Sequence, residues 1–152
     1  MKKLFTLAVI SGLFLNSCGK EEAEVIYTPL INGTWKLSKV AQISGKDGHI
    51  INSITMEGCD LENTYTFNAN NSFKFEYHEG SNCETITSEE GTYDYINSPS
   101  INKLVLKYAN DPEVEELIVQ KLDELELQTY SPELEDFNGD GVLDKTVMYM
   151  HR

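Results

Sequence analysis

From Gly33 onward the chain alternates apolar and polar residues one by one, and this period of two restricts its fold most strongly. Across residues 34–44, Trp35, Leu37, Ala41 and Ile43 hold odd positions, with Lys36, Ser38 and Gln42 between them and Lys39 as the exception. Tyr65 and Phe67 alternate with Thr64 and Thr66. After the turn-forming Asn68, Ala69, Asn70 and Asn71, the residues Phe73, Phe75 and Tyr77 alternate with Lys74, Glu76 and His78. Tyr93 and Tyr95 flank Asp94, and Leu104, Leu106 and Tyr108 alternate with Lys103, Val105 and Lys107. Such segments are half-buried antiparallel strands joined by short turns.

One stretch is ambiguous. Asp111 and Pro112 suit a helix start, and Val114, Leu117, Ile118, Lys121, Leu122 and Leu125 follow at helical spacing. Two strands, 115–122 and 125–130, around a turn at Asp123 and Glu124 suit the same residues. The alternation of Leu125, Glu126, Leu127 and Gln128 favours the strands. Eight candidate strands result, the last at 146–151. A sheet of eight strands removes both unpaired edges by closing, which predicts an all-β, eight-stranded antiparallel up-and-down barrel.

The N-terminus carries an address. Lys2 and Lys3 precede an apolar run at 4–15, too short to span a membrane, which takes about 20 residues. The run fits a secretory signal. The string Leu15, Asn16, Ser17, Cys18 then resembles the lipobox of bacterial lipoproteins. That resemblance implies cleavage after residue 17 and palmitate-type acyl chains on Cys18, which would hold the protein at the outer membrane of a Gram-negative bacterium. Residues 18–29 read as an acidic tether. Lys20, Glu21 and Glu22 resemble an export signal for display on the cell surface. Residues 30–152 then form one domain, expected to be monomeric.

The net charge of −13 repels phosphate backbones and argues against a nucleic-acid partner. Of three cysteines the lipobox takes Cys18, and an oxidising compartment makes a Cys59–Cys83 disulfide the economical reading for the remaining pair. His49, His78 and His151 stand alone in sequence, without metal-ligand spacing.

A second resemblance covers residues 30–150. Gly33, Thr34 and Trp35 resemble the Gly-x-Trp signature of lipocalins. Cys59, Asp60, Tyr65 to Phe67, Phe73 to Phe75, Cys83 and Gly91 to Tyr93 follow in the order seen in lipocalin-like domains of bacterial lipoproteins. The resemblance implies a barrel with a calyx and residues 45–62 forming a loop over its mouth, without naming a ligand; the inward-facing aromatic set suits a small apolar or amphipathic one. Trp35, Tyr65, Phe67, Phe73, Phe75, Tyr77, Tyr93 and Tyr95 are the expected interior residues. The same residues suit a filled barrel that contacts an envelope protein or glycan. Ile50, Ile51, Ile54 and Met56 discriminate the two: folded over the mouth they indicate a calyx, exposed they indicate a partner surface.

The most specific chemical string is Asp136-Phe137-Asn138-Gly139-Asp140-Gly141-Val142-Leu143-Asp144. Oxygen side chains at alternating positions of a tight loop suit calcium. The expected ligands are Asp136, Asn138, Asp140, the carbonyl of Val142, and Asp144. Val147 stands where an EF-hand carries its bidentate Glu, so the string resembles instead the calcium loops between strands of integrin-type propellers. An acidic hairpin turn would use the same Gly residues. The chain carries no nucleophile elbow, zinc-protease or phosphate-loop motif, so no enzyme is expected.

Overall fold

The computed structural model describes residues 30–152, and the expectations for the signal segment, Cys18 and the tether lie outside them. Among the described residues there are nine strands: β1 (Gly33–Ile43), β2 (Ile50–Thr55), β3 (Thr64–Phe67), β4 (Ser72–Glu79), β5 (Thr85–Ser98), β6 (Ile101–Tyr108), β7 (Val114–Leu122), β8 (Glu126–Tyr130) and β9 (Lys145–His151). All pairings are antiparallel. β3 to β9 follow one another, and β1 pairs with both β3 and β9, so the ring of hydrogen bonds closes. The ambiguous 112–126 stretch is strand, β7 turning into β8, where the Asp123 carboxylate accepts from the Leu125 and Glu126 amides.

The strand count and the 45–62 loop both need correction. Residues 50–55 form β2, which pairs with Lys39–Ile43 along the edge of β1 that β3 occupies at Gly33–Lys36. β2 and β3 are thus two pieces of one interrupted strand, broken by a 3-10 turn at Gly58–Glu62. Ile50, Ile51 and Ile54 do not alternate cleanly, so local pattern hides a strand that pairing with β1 creates.

Lys39 marks a switch of faces. The β1–β9 register shifts between Leu37 and Lys39, and a one-residue shift sends the following side chains to the opposite face. Before the bulge, Trp35 lies in the interior cluster with Phe67, Phe73, Tyr93, Leu104, Leu106, Leu117, Val119, Leu127 and Met150. Beyond it, Ala41 and Ile43 pack with Val147, Tyr130 and Tyr149 in a separate cluster. Met148 and Met150 belong to the interior, so Val147 and Tyr149, their neighbours along the strand, face outward. Leu134 and Leu143, from the segment between β8 and β9, border this outer patch.

One end of the barrel is plugged. Ile31 and Trp35 are fully buried, and the indole N–H of Trp35 donates to the Ile31 carbonyl at 2.8 Å. Arg152 lays its guanidinium 4.2 Å from the centre of the Trp35 ring and donates to the carbonyls of Leu30, Asn32 and Glu124. The Tyr93 hydroxyl shares its hydrogen between Asn32 Oδ1 and the Asn68 carbonyl. Gly91 permits the tight packing above this plug, since a Cβ there would lie 2.1 Å from the Lys107 carbonyl and 2.7 Å from the Phe73 ring.

Candidate functional site

The opposite end carries the loops 44–49, 80–84, 109–113 and 131–144. Register decides which side chains face the lumen there. Tyr65 pairs with Phe75, Phe75 with Glu89, Gly91 with Tyr108, and Leu106 with Glu115. Counting by twos from the interior residues Phe73, Tyr93, Leu106 and Leu117 brings Phe75, Tyr77, Glu89, Tyr108 and Glu115 onto the inner face. Tyr65 joins them from β3.

These side chains converge. The Tyr65 and Phe75 rings stack with centroids 4.0 Å apart, and Tyr77 meets Phe75 edge-on at 3.8 Å. The Tyr108 hydroxyl donates to Glu115 Oε2 at 2.7 Å. Burial pushes the Tyr65 hydroxyl pKa well above its usual value, and Tyr77, Glu115 and Glu89 push it further. Tyr108 rises through burial and its bond to Glu115, and Tyr77 through burial with Glu89 and Glu115 adding. Each shift favours a neutral phenol, so the lumen wall at this end is aromatic hydroxyl and carboxylate.

Two depressions adjoin at the same end, sharing Tyr108 and Asp111. One of about 420 Å³ carries Glu113, Glu115, Glu116 and Glu133. The other, about 260 Å³, carries Glu89 and Glu90. No lysine or arginine lines either one.

The expected interior residues therefore divide. Trp35, Phe67, Phe73 and Tyr93 fill the plugged half, with Tyr95 packed against them. Tyr65, Phe75 and Tyr77 line the open half, Tyr77 at its rim. Glu89, Glu115 and Tyr108 were missed as site residues. Their signal was position: Glu89 extends the row Gly91, Tyr93, Tyr95, and Glu115 extends the row Leu117, Val119.

The disulfide between Cys59 and Cys83 is present, with Cα atoms 5.2 Å apart. It ties the 3-10 turn of the interrupted strand to the loop after β4, and so bridges the place where β2 has no second strand beside it. Ile50 and Ile54 are exposed, at 52% and 63%, and do not fold over the mouth.

The 136–144 string forms a loop held by its own amides. Asp136 accepts from the N–H groups of Gly139, Asp140 and Gly141, Asn138 Oδ1 from that of Asp140, and Asp140 Oδ1 from that of Val142. Gly139 and Gly141 have φ of 75° and 83°, which their lack of Cβ permits. Asp144 is fully buried, accepting from Gly45 N–H at 2.9 Å and, within the same loop, from Phe137 N–H at 2.8 Å. Asp136, Asn138 and Asp140 thus share one turn. Among the described residues no three His, Cys, Asp or Glu side chains gather as a metal group. The His49 imidazole bonds the Asp47 carboxylate, whose pKa it lowers to about 2.

Comparison with known proteins places this architecture. A lipocalin-like domain family matches residues 31–128. The chain belongs to that family. No curated protein matches the sequence. Among solved structures, this lipocalin-like chain is similar to a lipocalin-like protein from Bacteroides uniformis, with 14% identity and a TM-score of 0.52 over 82% of this chain and 99% of that one. A protein from Bacteroides eggerthii follows, with 12% identity and a TM-score of 0.49 over 80% and 98% of the two chains. At these identities the first likeness concerns the fold alone.

Proposed function

We propose that this protein is a lipid-anchored binding module of the cell envelope, whose barrel takes a small apolar or amphipathic molecule through its open end. The observation that carries the reading is the division of the interior. Ten buried apolar side chains pack around Trp35 at one end, while Tyr65, Tyr77, Tyr108 and two depressions face the other. A ligand there would meet the aromatic rings of this end and take its orientation from the acidic side chains of the two depressions. N-phenyl-1-naphthylamine, a neutral apolar fluorophore, is expected to brighten on titration and saturate at one per chain. No enhancement at micromolar protein would overturn the reading.

A second reading keeps the barrel as a scaffold for an envelope protein or glycan. It is favoured by the exposure of Ile50 and Ile54 on β2, which pairs only with β1 among the described residues. Ile54→Lys separates the two. It spares the fluorophore site and abolishes capture of a cross-linked partner only if the scaffold reading holds.

The anchor rests on Cys18. Cys18→Ala is expected to move the protein from the membrane fraction to the soluble envelope fraction and abolish palmitate labelling; unchanged partitioning would remove the lipoprotein assignment.

The proposal extends to calcium at the 136–144 loop. Asp136, Asn138, Asp140 and the Val142 carbonyl would hold the ion, with Asp144 positioning the loop from behind. Millimolar calcium is expected to raise the melting temperature, as extracellular sites bind at roughly 10⁻⁴–10⁻³ M. Asp140→Ala should remove the response without unfolding the barrel. A melting temperature indifferent to both calcium and chelator would leave an acidic turn.

A further inference from the structure

We propose that the open end of the barrel selects an organic cation, an amphipathic molecule with an ammonium head and an apolar tail. The inference rests on the ligand-binding reading and names its ligand class. Glu89 and Glu115 occupy inward rows that elsewhere hold Gly91, Tyr93, Leu117 and Val119. Glu89 is exposed and Glu115 half-buried, so both carboxylates keep contact with water at the open end and can be reached by a ligand.

Among the described residues no cationic side chain pairs with either one. The lysines at this end are engaged elsewhere: Lys107 with Asp94, Lys46 with Asp140, and Lys145 with Gln120 and the Tyr130 ring. Glu115 receives only the Tyr108 hydroxyl, and the Glu89 side chain has no partner among the described residues. The lumen holds a further unmet polar atom. Thr129 is fully buried in the inward row of β8 that begins with Leu127, and its hydroxyl finds no hydrogen-bond partner.

The aromatic rings complete the recognition. Tyr65, Tyr77 and Tyr108 lie close enough to Glu89 and Glu115 that the carboxylates help raise their hydroxyl pKa values, and aromatic ring faces attract cations. An inorganic ion would need several oxygens closing tightly on one point. Here the described acids do not gather that way, and the wall between them is aromatic. A head of spread positive charge with an apolar tail satisfies both surfaces.

Calorimetry on the full chain with three ten-carbon probes, below their micelle concentrations at neutral pH, tests the proposal. Decylammonium is expected to bind one per chain and about ten-fold tighter than decanol, with decyl sulfate weaker than both. Glu115→Gln and Glu89→Gln should each remove several-fold of the decylammonium advantage and leave decanol unchanged. Glu124→Gln, which deletes a charge in the β7–β8 turn at the plugged end, should change neither. Equal affinity for decanol and decylammonium would overturn the cation proposal while leaving the apolar site intact. An equal loss in Glu124→Gln would also overturn it, reducing the preference to the overall charge of −13. Binding of no probe would overturn both readings. Glu89 is exposed, so its variant keeps the test valid should Glu115→Gln unfold.

Discussion

Trp35→Ala is expected to cost the barrel about 4 kcal/mol, a large part of the total stability of a domain this size. Three losses coincide. The indole is fully buried at the centre of the interior cluster, so its removal leaves a cavity that rigid strands cannot close. The Ile31 carbonyl loses its donor in a buried site. The Arg152 guanidinium loses the ring beneath it, and with it the clamp on Leu30, Asn32 and Glu124 loosens. Urea unfolding should show a lower midpoint with an unchanged slope. Trp35→Phe should recover most of the loss, leaving about 1–2 kcal/mol for the missing N–H donor and smaller ring. A midpoint shift worth under about 1 kcal/mol for the alanine variant would mean that the plug does not hold this end together.

The second large effect belongs to Asp144. Its alanine variant is expected to lose about 3 kcal/mol, because each hydrogen bond to a buried carboxylate contributes about 1.5–3 kcal/mol and two amides would be left unpaired. Those amides, Gly45 and Phe137, belong to two different loops, so the carboxylate pins the 131–144 segment to the end of β1. Gly45 is pressed so close that a Cβ there would lie 2.0 Å from the Leu143 carbonyl. Without Asp144 the segment should lift from the outer cluster of Ala41, Ile43 and Val147. Faster amide exchange in residues 136–144, beyond that of the barrel strands, would report it. This loss should persist in chelator, whereas an effect of Asp140→Ala on melting should need calcium. If Asp144→Ala matters only when calcium is present, Asp144 is a ligand and not a brace.

Much of this was legible in the chain, and the divide follows from the range of the forces involved. Side-chain alternation is a local property of the extended backbone, so Tyr65–Phe67, Phe73–Tyr77 and Leu104–Tyr108 declared themselves as strands without reference to anything distant. The cysteine pair could be read because, with Cys18 set aside, Cys59 and Cys83 are the two that remain. The string at 136–144 announced a tight acidic loop, since Asn, Asp and Gly form such turns from their own side chains and φ angles.

Which face each residue serves was decided elsewhere. The bulge between Leu37 and Lys39 exists only against β9, more than a hundred residues away, and it alone turns Ala41 and Ile43 outward. β2 is a strand only because β1 has an edge that β3 leaves free. Glu89 and Glu115 look like solvated charges in sequence and become lumen residues only when register aligns them with Phe75 and Leu106. Asp144 reads in sequence as one acid of a tight loop, and only the approach of Gly45 shows its carboxylate bracing two loops. Period two tells that neighbours point in opposite directions; only closure of the barrel, which brings distant strands into one register, decides which direction is inside.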